Sequence, residues 1–400
     1  RLIERTPDER RRRWIVRAAV VADLGVLGLF KYYAFFVTDV DRVLDAVRLS
    51  LPLPLLTLAL PVGISFFTFQ AISYVVDVYR RVIAPYPTLD VAIYLSLFPH
   101  LVAGPIVRAR EFLPQLQRPR DPTHVAVGPA VLLIAIGLVK KVAIADYLAR
   151  AVVDPVFAVP NAYAAPDVAL ASYAYAAQIY CDFSGYTDVA IGLALLMGFV
   201  FPQNFSSPYR ATGFRDFWRR WHITLSRFLR DFLYIPLGGS RGGRLRTARN
   251  LMITMVLGGL WHGAAWTFVL WGAFHGVGLV AEHLLAGRLR LPAWLRWLAT
   301  FHLIVLSWLL FRSQDLGDVG TILSRLVAPG AATLWSIPVV GVVVAVIALQ
   351  VLPARPLDAL RGRLERLHPA ALGAGLALVI LFVAATVPSE GVPPFIYFRF

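Results

Sequence analysis

Runs of mostly apolar residues, each long enough to cross a bilayer as a helix, recur along this chain and constrain its fold more than any other feature. A spanning helix needs about 20 such residues. The candidate spans are residues 14–37, 49–79, 91–106, 125–148, 168–200, 250–285, 294–311, 334–352 and 370–387. The 250–285 run is long enough for two helices, or for one span and a re-entrant piece. The pattern predicts an all-α, polytopic transmembrane helical bundle of about nine or ten spans, with further re-entrant or interfacial helices.

The composition also indicates a membrane protein. Hydrophobic residues make up 58% of the chain and charged residues only 16%, with a mean hydropathy of +0.65, whereas a soluble domain is about one quarter charged. The net charge of +15 is carried by Arg and Lys clusters between apolar runs, which is typical of cytoplasmic loops rather than of a nucleic-acid-binding face. The lone Cys181 excludes an intrachain disulfide and a cysteine-based zinc site, and no metal site is predicted.

The amino-terminal residues do not read as a signal peptide. They are basic but include Glu4, Asp8 and Glu9, and the apolar run that follows is too long. The sequence does not start with Met, so we expect an earlier membrane segment to precede it. With no internal repeat or linker, residues 1–400 are predicted to form a single membrane domain.

The segment 209–250 is the most basic part of the chain, with ten arginines against Asp216 and Asp231. The positive-inside rule places such a segment on the cytoplasmic side, or dipping into the membrane from that side. Aromatic residues alternate with charges over 214–234, which favours a helix lying in the interface. The stretch LYIPLGGSRGG that follows is predicted to be irregular because proline and glycine break helices.

Two histidines carry the strongest hypotheses for chemistry. His262 lies in LGGLWHGAAWTFVLWGAFHG, where glycines permit close approach of backbone or ligand and tryptophans can wall a cavity. An imidazole there can act as a general base, although one that only bonds two helices together would look the same. His222, in DFWRRWHITLSRFLRD, is a candidate second polar group that orients an acceptor or stabilises an oxyanion; its alternative is an ordinary interfacial histidine. His275 is a candidate for pocket lining.

The polar motif CDFSGYTDVAIG interrupts the 168–200 run and contains Asp182, Ser184, Tyr186 and Asp188. Polar groups in lipid need partners, and lysines or arginines elsewhere can supply them. We interpret the motif as a structural polar core, with a carboxylate pair holding a cation as the alternative.

Several enzyme classes are excluded by the absence of their motifs. The sequence contains no Gly-x-Ser-x-Gly elbow, no His-Glu-x-x-His zinc helix and no phosphate loop. A transporter remains compatible with composition alone, since it too would show intramembrane charges and broken helices.

A family resemblance appears when the motifs are taken together. The run NFSSPYRATGFRDFWRRWHITLSRFLRDFLYIPLGGSRGG and the following GGLWHGAAWTFVLWGAFHG closely resemble the membrane-bound O-acyltransferase family. The likeness extends to FFTFQAISYVVDVYR, LFPHLVAGPIVRAREFLPQL, GLVKKVAIAD, CDFSGYTDVAIGLALLMGF and the closing PFIYFRF. More narrowly, the sequence is similar to the bacterial branch that contains alginate O-acetyltransferase membrane subunits and D-alanyl transfer proteins of teichoic acid.

The resemblance implies a helical basin with a central funnel and an active site with two histidines. His262 of the WHG motif would be the essential catalytic residue, and His222 of RRWHI its partner. The residues expected to bind substrate or donor are Arg219, Arg220, Trp221, Trp261, Asn204 and Tyr209; the two arginines are candidates for the phosphates of the donor.

The activity that the resemblance implies is transfer of an acyl group, most simply acetyl, from a cytoplasmic thioester to a hydroxyl of a cell-surface or exported polysaccharide. The donor would be acetyl-coenzyme A or an acyl-carrier thioester, with no tightly bound cofactor. The expected location is the bacterial inner membrane, in contact with lipid and with an extracytoplasmic transferase or polysaccharide-export partner; no nucleic-acid partner is expected. The alternative is a membrane acyl-relay or transport protein without bond chemistry of its own.

Overall fold

The computed structural model describes residues 2–49, 54, 56, 58–118, 125–285, 291–352, 359–360 and 362–386. Over these ranges the chain forms helices and irregular connections without a strand, which confirms the all-α prediction. The helices of eight or more residues are Glu9–Leu27, Tyr33–Ala46, Ile64–Tyr79, Thr88–Ser96, Ala109–Leu116, Val127–Leu138, Ala165–Leu196, Arg244–His262, Trp266–Leu284, Ala293–Arg312, Leu316–Arg325, Ile337–Val351 and Pro369–Thr386.

Five continuous helical stretches in the described part of the chain are long and apolar enough to cross a membrane. They are Glu9–Ala46, Val127–Ala158, Ala165–Leu196, Ala293–Arg312 and Pro369–Thr386. Ile64–Tyr79 and Ile337–Val351 are apolar but shorter. The multi-pass membrane character is therefore confirmed, whereas the total of nine or ten spans and the basin with its funnel stay predictions.

Two candidate spans contain shorter helices than their apolar runs. The 49–79 run becomes helical only at Ile64, because Pro61 and the irregular residues around it cannot continue a helix; residues 50–53, 55 and 57 lie outside the described part. The 91–106 run holds only the short helices Thr88–Ser96 and Phe98–Leu101. The closing PFIYFRF motif also lies outside the described residues.

The polar motif CDFSGYTD interrupts the apolar run without breaking the helix. Ala165–Leu196, here named the central helix, runs without a break for 32 residues. Within the motif, Asp182 and Asp188 are paired with lysines of the neighbouring Val127–Ala158 stretch, so they do not need to leave the helix to reach water. The two elements approach closely where Gly137 faces Gly185: a Cβ added to either glycine would lie 2.5 or 2.7 Å from the carbonyl oxygen of the other.

The described helices group into two compact units, and the prediction of a single domain stays a prediction. The first unit comprises Arg1–Asp121 with Phe199–Phe201. In it, the rings of Phe112 and Phe199 stack at 4.7 Å, and buried His100 bonds the carbonyl of Tyr94 through Nε2 at 2.8 Å. The second unit, Pro122–Gly198 with Pro202–Phe400, contains both candidate catalytic histidines.

The basic segment is built from two short helices rather than the one interfacial helix predicted over 214–234. Phe214–Trp218 ends before Ile223–Leu229 begins, and a π-helical turn, Arg230–Tyr234, follows. The break is at His222, whose φ of 42° and ψ of 56° are left-handed. The irregular stretch after it is confirmed, since Gly238, Gly239, Gly242 and Gly243 all have positive φ.

Candidate active site

His262 is the last residue of Arg244–His262, which we name the His262 helix. Its side chain is held in an aromatic box. Its ring centroid lies 5.1 Å from Trp261, 5.1 Å from Trp271 and 5.3 Å from Phe311. Only 4% of the residue is exposed. Two of these rings come from other helices, so the position of the imidazole depends on how those helices pack.

Glycines set that packing. The His262 helix crosses Trp266–Leu284 where a Cβ on Gly259 would lie 2.2 Å from the carbonyl oxygen of Phe268, and one on Gly272 would lie 2.3 Å from that of Met255. Real Cβ atoms do not approach oxygen so closely, so the crossing requires glycine at both positions. The predicted close approach is confirmed, and what approaches is the backbone of the neighbouring helix.

His222 is fully buried and is held from a separate loop by Asn204. Its Nδ1 lies 3.1 Å from the Oδ1 of Asn204. The same oxygen accepts hydrogen bonds from the backbone N–H of Thr224 at 3.2 Å and from its hydroxyl at 2.9 Å. The carbonyl of Asn204 accepts from the N–H of Ile223 at 3.0 Å. These bonds satisfy backbone donors at the start of Ile223–Leu229 that no side chain of the helix itself caps.

The two predicted catalytic histidines both pack against the side chain of Trp261. The ring of Trp261 lies 6.3 Å from His222 and 5.1 Å from His262, centroid to centroid. Phe183 of the central helix closes another side of His222 at 4.7 Å, edge to face. Burial among these groups lowers the pKa of His222 to about 3, so its imidazole is neutral at physiological pH.

His275 supports the aromatic box rather than lining a pocket. It is fully buried, and its ring lies 4.6 Å from Trp271 and 5.2 Å from Trp218. Its Nε2 lies 3.1 Å from the hydroxyl of Ser307, which donates its own proton to the carbonyl of Ile304. The serine oxygen must therefore accept from Nε2–H, which assigns the tautomer of His275.

A cavity of about 550 Å³ lies against the basic segment. Its inner wall includes Ile223, next to His222 in sequence, and Met255, two helical turns before His262. Four arginines and several hydroxyls give it a cationic, hydrogen-bonding character. The lining comprises Arg215, Trp218, Arg219, Ile223, Ser226, Arg227, Leu229, Arg230, Tyr234, Ser240, Thr247, Leu251, Thr254, Met255, Leu279 and His283.

Of the six residues predicted to bind substrate or donor, Arg219 lines this cavity. Arg220 is not among the lining residues, and its Nε is paired with Asp216 at 2.8 Å. The hydroxyl of Tyr209 donates to the carbonyl of Ala176 in the core.

Trp221, 2% exposed, packs against Phe205 and Trp308, and Trp261 and Asn204 lie beside the histidines. Direct substrate contact by these residues stays a prediction, while Asn204 and Trp261 are placed to position the imidazoles.

Sequence reasoning missed several cavity residues. Arg215, Arg227 and Arg230 stand out in the sequence only as part of a basic segment, and no motif marks His283. The Nε2 of His283 is buried at the cavity wall without a hydrogen-bond partner among the described residues. Helical spacing offers a usable signal for Arg227 and Arg230, which lie three residues apart, whereas the place of Arg219 relative to them depends on the helix break at His222.

The polar motif of the central helix forms ion pairs with two successive lysines. Lys140 Nζ lies 2.7 Å from Asp188, while Lys141 Nζ lies 2.6 Å from Asp182 and 2.8 Å from Asp146. Ser184 is buried beside them and Tyr186 is half-buried. These contacts agree with the predicted structural core, in which charges buried in an apolar setting are paired.

Comparison with known proteins identifies one matching family and several similar relatives. The sequence matches the membrane-bound O-acyltransferase family over residues 53–310. It is similar to the probable alginate O-acetylase AlgI of Pseudomonas aeruginosa, with 46% identity covering 76% of this chain and 58% of that protein. The AlgI of Azotobacter vinelandii is 38% identical, covering 97% of this chain and 85% of that protein. The peptidoglycan O-acetyltransferase of Helicobacter pylori is 37% identical, covering 82% and 67%. The chain spans about three fifths of the length of the Pseudomonas aeruginosa relative.

Proposed function

Because the chain belongs to the membrane-bound O-acyltransferase family, we propose that it transfers an acyl group, acetyl in the simplest case, from a cytoplasmic thioester to a hydroxyl of a cell-surface or exported polysaccharide. The observation that carries the proposal is that His222 and His262 both pack against the ring of Trp261. Relatives named for acetylation of alginate and of peptidoglycan support acetyl as the group and a polysaccharide as the acceptor.

The cationic cavity supports a thioester donor bound from the side of the basic segment. Coenzyme A and phosphopantetheine both carry phosphates, and Arg219, Arg227 and Arg230 can bind phosphate oxygens by charge-assisted hydrogen bonds. Arg230 also pairs with Asp231 at 2.6 Å. The side chain of Arg219 has no hydrogen-bond or ion-pair partner among the described residues, so it can gain one from the donor without breaking another.

His262 acts as the general base in this proposal. The hydroxyl oxygen of the acceptor attacks the thioester carbonyl carbon while His262 takes the hydroxyl proton. The tetrahedral intermediate collapses with cleavage of the carbon–sulfur bond. The thiolate leaves and recovers that proton, so that an ester and a free thiol are formed. Exclusion of water by the aromatic box would favour transfer over hydrolysis.

The cellular setting follows from the same reasoning. We place the protein in the inner membrane of a bacterium, with the basic segment on the cytoplasmic side. An extracytoplasmic transferase or polysaccharide-export partner would complete delivery where the acceptor is not modified directly. The competing function is an acyl relay or transporter that binds substrate at the same histidines without breaking the thioester.

Thiol release from acetyl-coenzyme A by the purified protein, measured in the presence of a candidate oligosaccharide acceptor, separates the two functions. The wild type should release thiol, and His262→Ala should not. His302→Ala is a matched control, because His302 is exposed and bonds only the carbonyl of Leu298 in its own helix. Melting curves of the three proteins should agree. Equal release by wild type and His262→Ala would refute the catalytic role of His262, and transport of acetyl-coenzyme A without release would favour the relay.

A further inference from the structure

The hydrogen bonds around Asn204 assign the proton on His222. The backbone N–H of Thr224 can only donate, and it points at the side-chain atom of Asn204 that also faces His222. That atom must therefore be the amide oxygen rather than the nitrogen. An oxygen that already accepts two hydrogen bonds from Thr224 can only accept from His222 as well, so Nδ1 of the imidazole carries the hydrogen.

The other ring nitrogen is consequently a lone-pair acceptor. Nε2 of His222 is buried and has no hydrogen-bond partner among the described residues. A buried polar atom left without a partner costs about 1–3 kcal/mol, so its presence at a candidate active site indicates a place for a group that carries a proton. The left-handed backbone conformation of His222 also supports a functional role, since strained conformations of this kind cluster at functional sites.

Resting on the proposed function, we infer that Asn204 is a positioning residue that holds His222 as the Nδ1–H tautomer, and that His222 Nε2 accepts a hydrogen bond from the acceptor hydroxyl. The hydroxyl is then oriented between an acceptor nitrogen on His222 and the base His262. This differs from the oxyanion role predicted for His222, because an oxyanion requires an N–H donor and neutral His222 has none at Nε2.

A single substitution at position 204 can change the protonation state of the His222 imidazole. Phe183 and Trp261 pack against it. The nearest ionisable groups along these elements are Asp182, which is ion-paired with Lys141, and His262. In its own segment Arg220 is paired with Asp216. An ionised aspartate introduced at position 204 would therefore be the carboxylate in contact with His222.

Asn204→Asp is the decisive variant. A carboxylate against Nδ1–H raises the pKa of His222, and the resulting imidazolium has lost its Nε2 lone pair. Because the pKa of His222 starts at about 3 and a carboxylate raises it by about 1–3 units, we expect the rate of acetyl transfer to fall more steeply than the wild-type rate as the pH drops below about 6. The KM for the thioester should be unchanged. Thr224→Val is the matched control: it removes one hydrogen bond to the same oxygen without adding charge, and should keep the wild-type pH profile. A folded Asn204→Asp whose rate falls no more steeply than that of the wild type on acidification, or rises, would overturn the inference, since an oxyanion donor gains from positive charge.

Nitrogen NMR of histidine-labelled wild-type protein tests the tautomer without any activity. The signal of His222, identified by its loss in His222→Ala, should show a proton on Nδ1; a proton on Nε2 would refute the assignment. If the wild type cleaves no thioester, the proposed function fails, while the tautomer is still decided by the spectrum.

Discussion

Gly272→Ala tests whether helix packing positions the catalytic imidazole. The added methyl would lie 2.3 Å from the carbonyl oxygen of Met255 and 3.0 Å from the Cα of Val256. Ordinary contacts are near 3.5 Å, so the helices must separate by roughly 1 Å. Overpacking of this kind costs about 1–3 kcal/mol, and a 1 Å displacement of a catalytic group can reduce the rate by about a hundredfold.

The assay for Gly272→Ala is thiol release together with thermal melting in detergent. We expect a melting temperature a few degrees lower and a rate reduced by about two orders of magnitude. Gly341→Ala is the matched control. Gly341 also lies within an apolar helix, but an added Cβ there meets no atom within 4 Å, so activity should be unchanged. Wild-type rate and stability in Gly272→Ala would refute the argument that this crossing places His262.

Three further predictions follow from the electrostatics. Arg219→Gln should raise the KM for acetyl-coenzyme A about fivefold, an effect that shrinks with added salt, while Arg241→Gln, in the same segment but outside the cavity, should not. His222 has a pKa of about 3 in the folded protein and about 6.5 unfolded. Its stabilising contribution is therefore complete above pH 6.5 and declines by about 1.4 kcal/mol per pH unit below it; His222→Gln should flatten the fall in melting temperature between pH 6.5 and 4. Lys141→Met leaves two buried carboxylates without their lysine and should cost about 3–5 kcal/mol, measured as a lower melting temperature, whereas Lys141→Arg should cost much less.

The elements best predicted from sequence are those whose burial is decided locally. The apolar run 294–311 forms the helix Ala293–Arg312, and the 250–285 run forms two helices that meet after His262. The continuity of the central helix was not predictable in this way. It depends on Lys140 and Lys141, which lie some forty residues earlier in the chain and neutralise its carboxylates.

In the candidate site, too, features carried by a local motif were predicted, and features that depend on residues distant in the chain were not. His262 and His222 stand out in the sequence because each lies in a distinctive motif, WHG and RRWHI, although most of the groups around them in space come from other elements. The helix break at His222 was missed because it depends on hydrogen bonds that Asn204, eighteen residues away, accepts. The cavity role of Arg227 and His283 was missed because it depends on which helix faces turn toward each other after that break.

The most direct test of the central claim is mass spectrometry of an oligosaccharide acceptor after incubation with acetyl-coenzyme A and the purified protein, supplemented with its extracytoplasmic partner where one is required. The account predicts products heavier by acetyl groups in ester linkage, formed by the wild type and by His302→Ala and absent with His262→Ala. Acetylated products formed equally well by folded His262→Ala would contradict it.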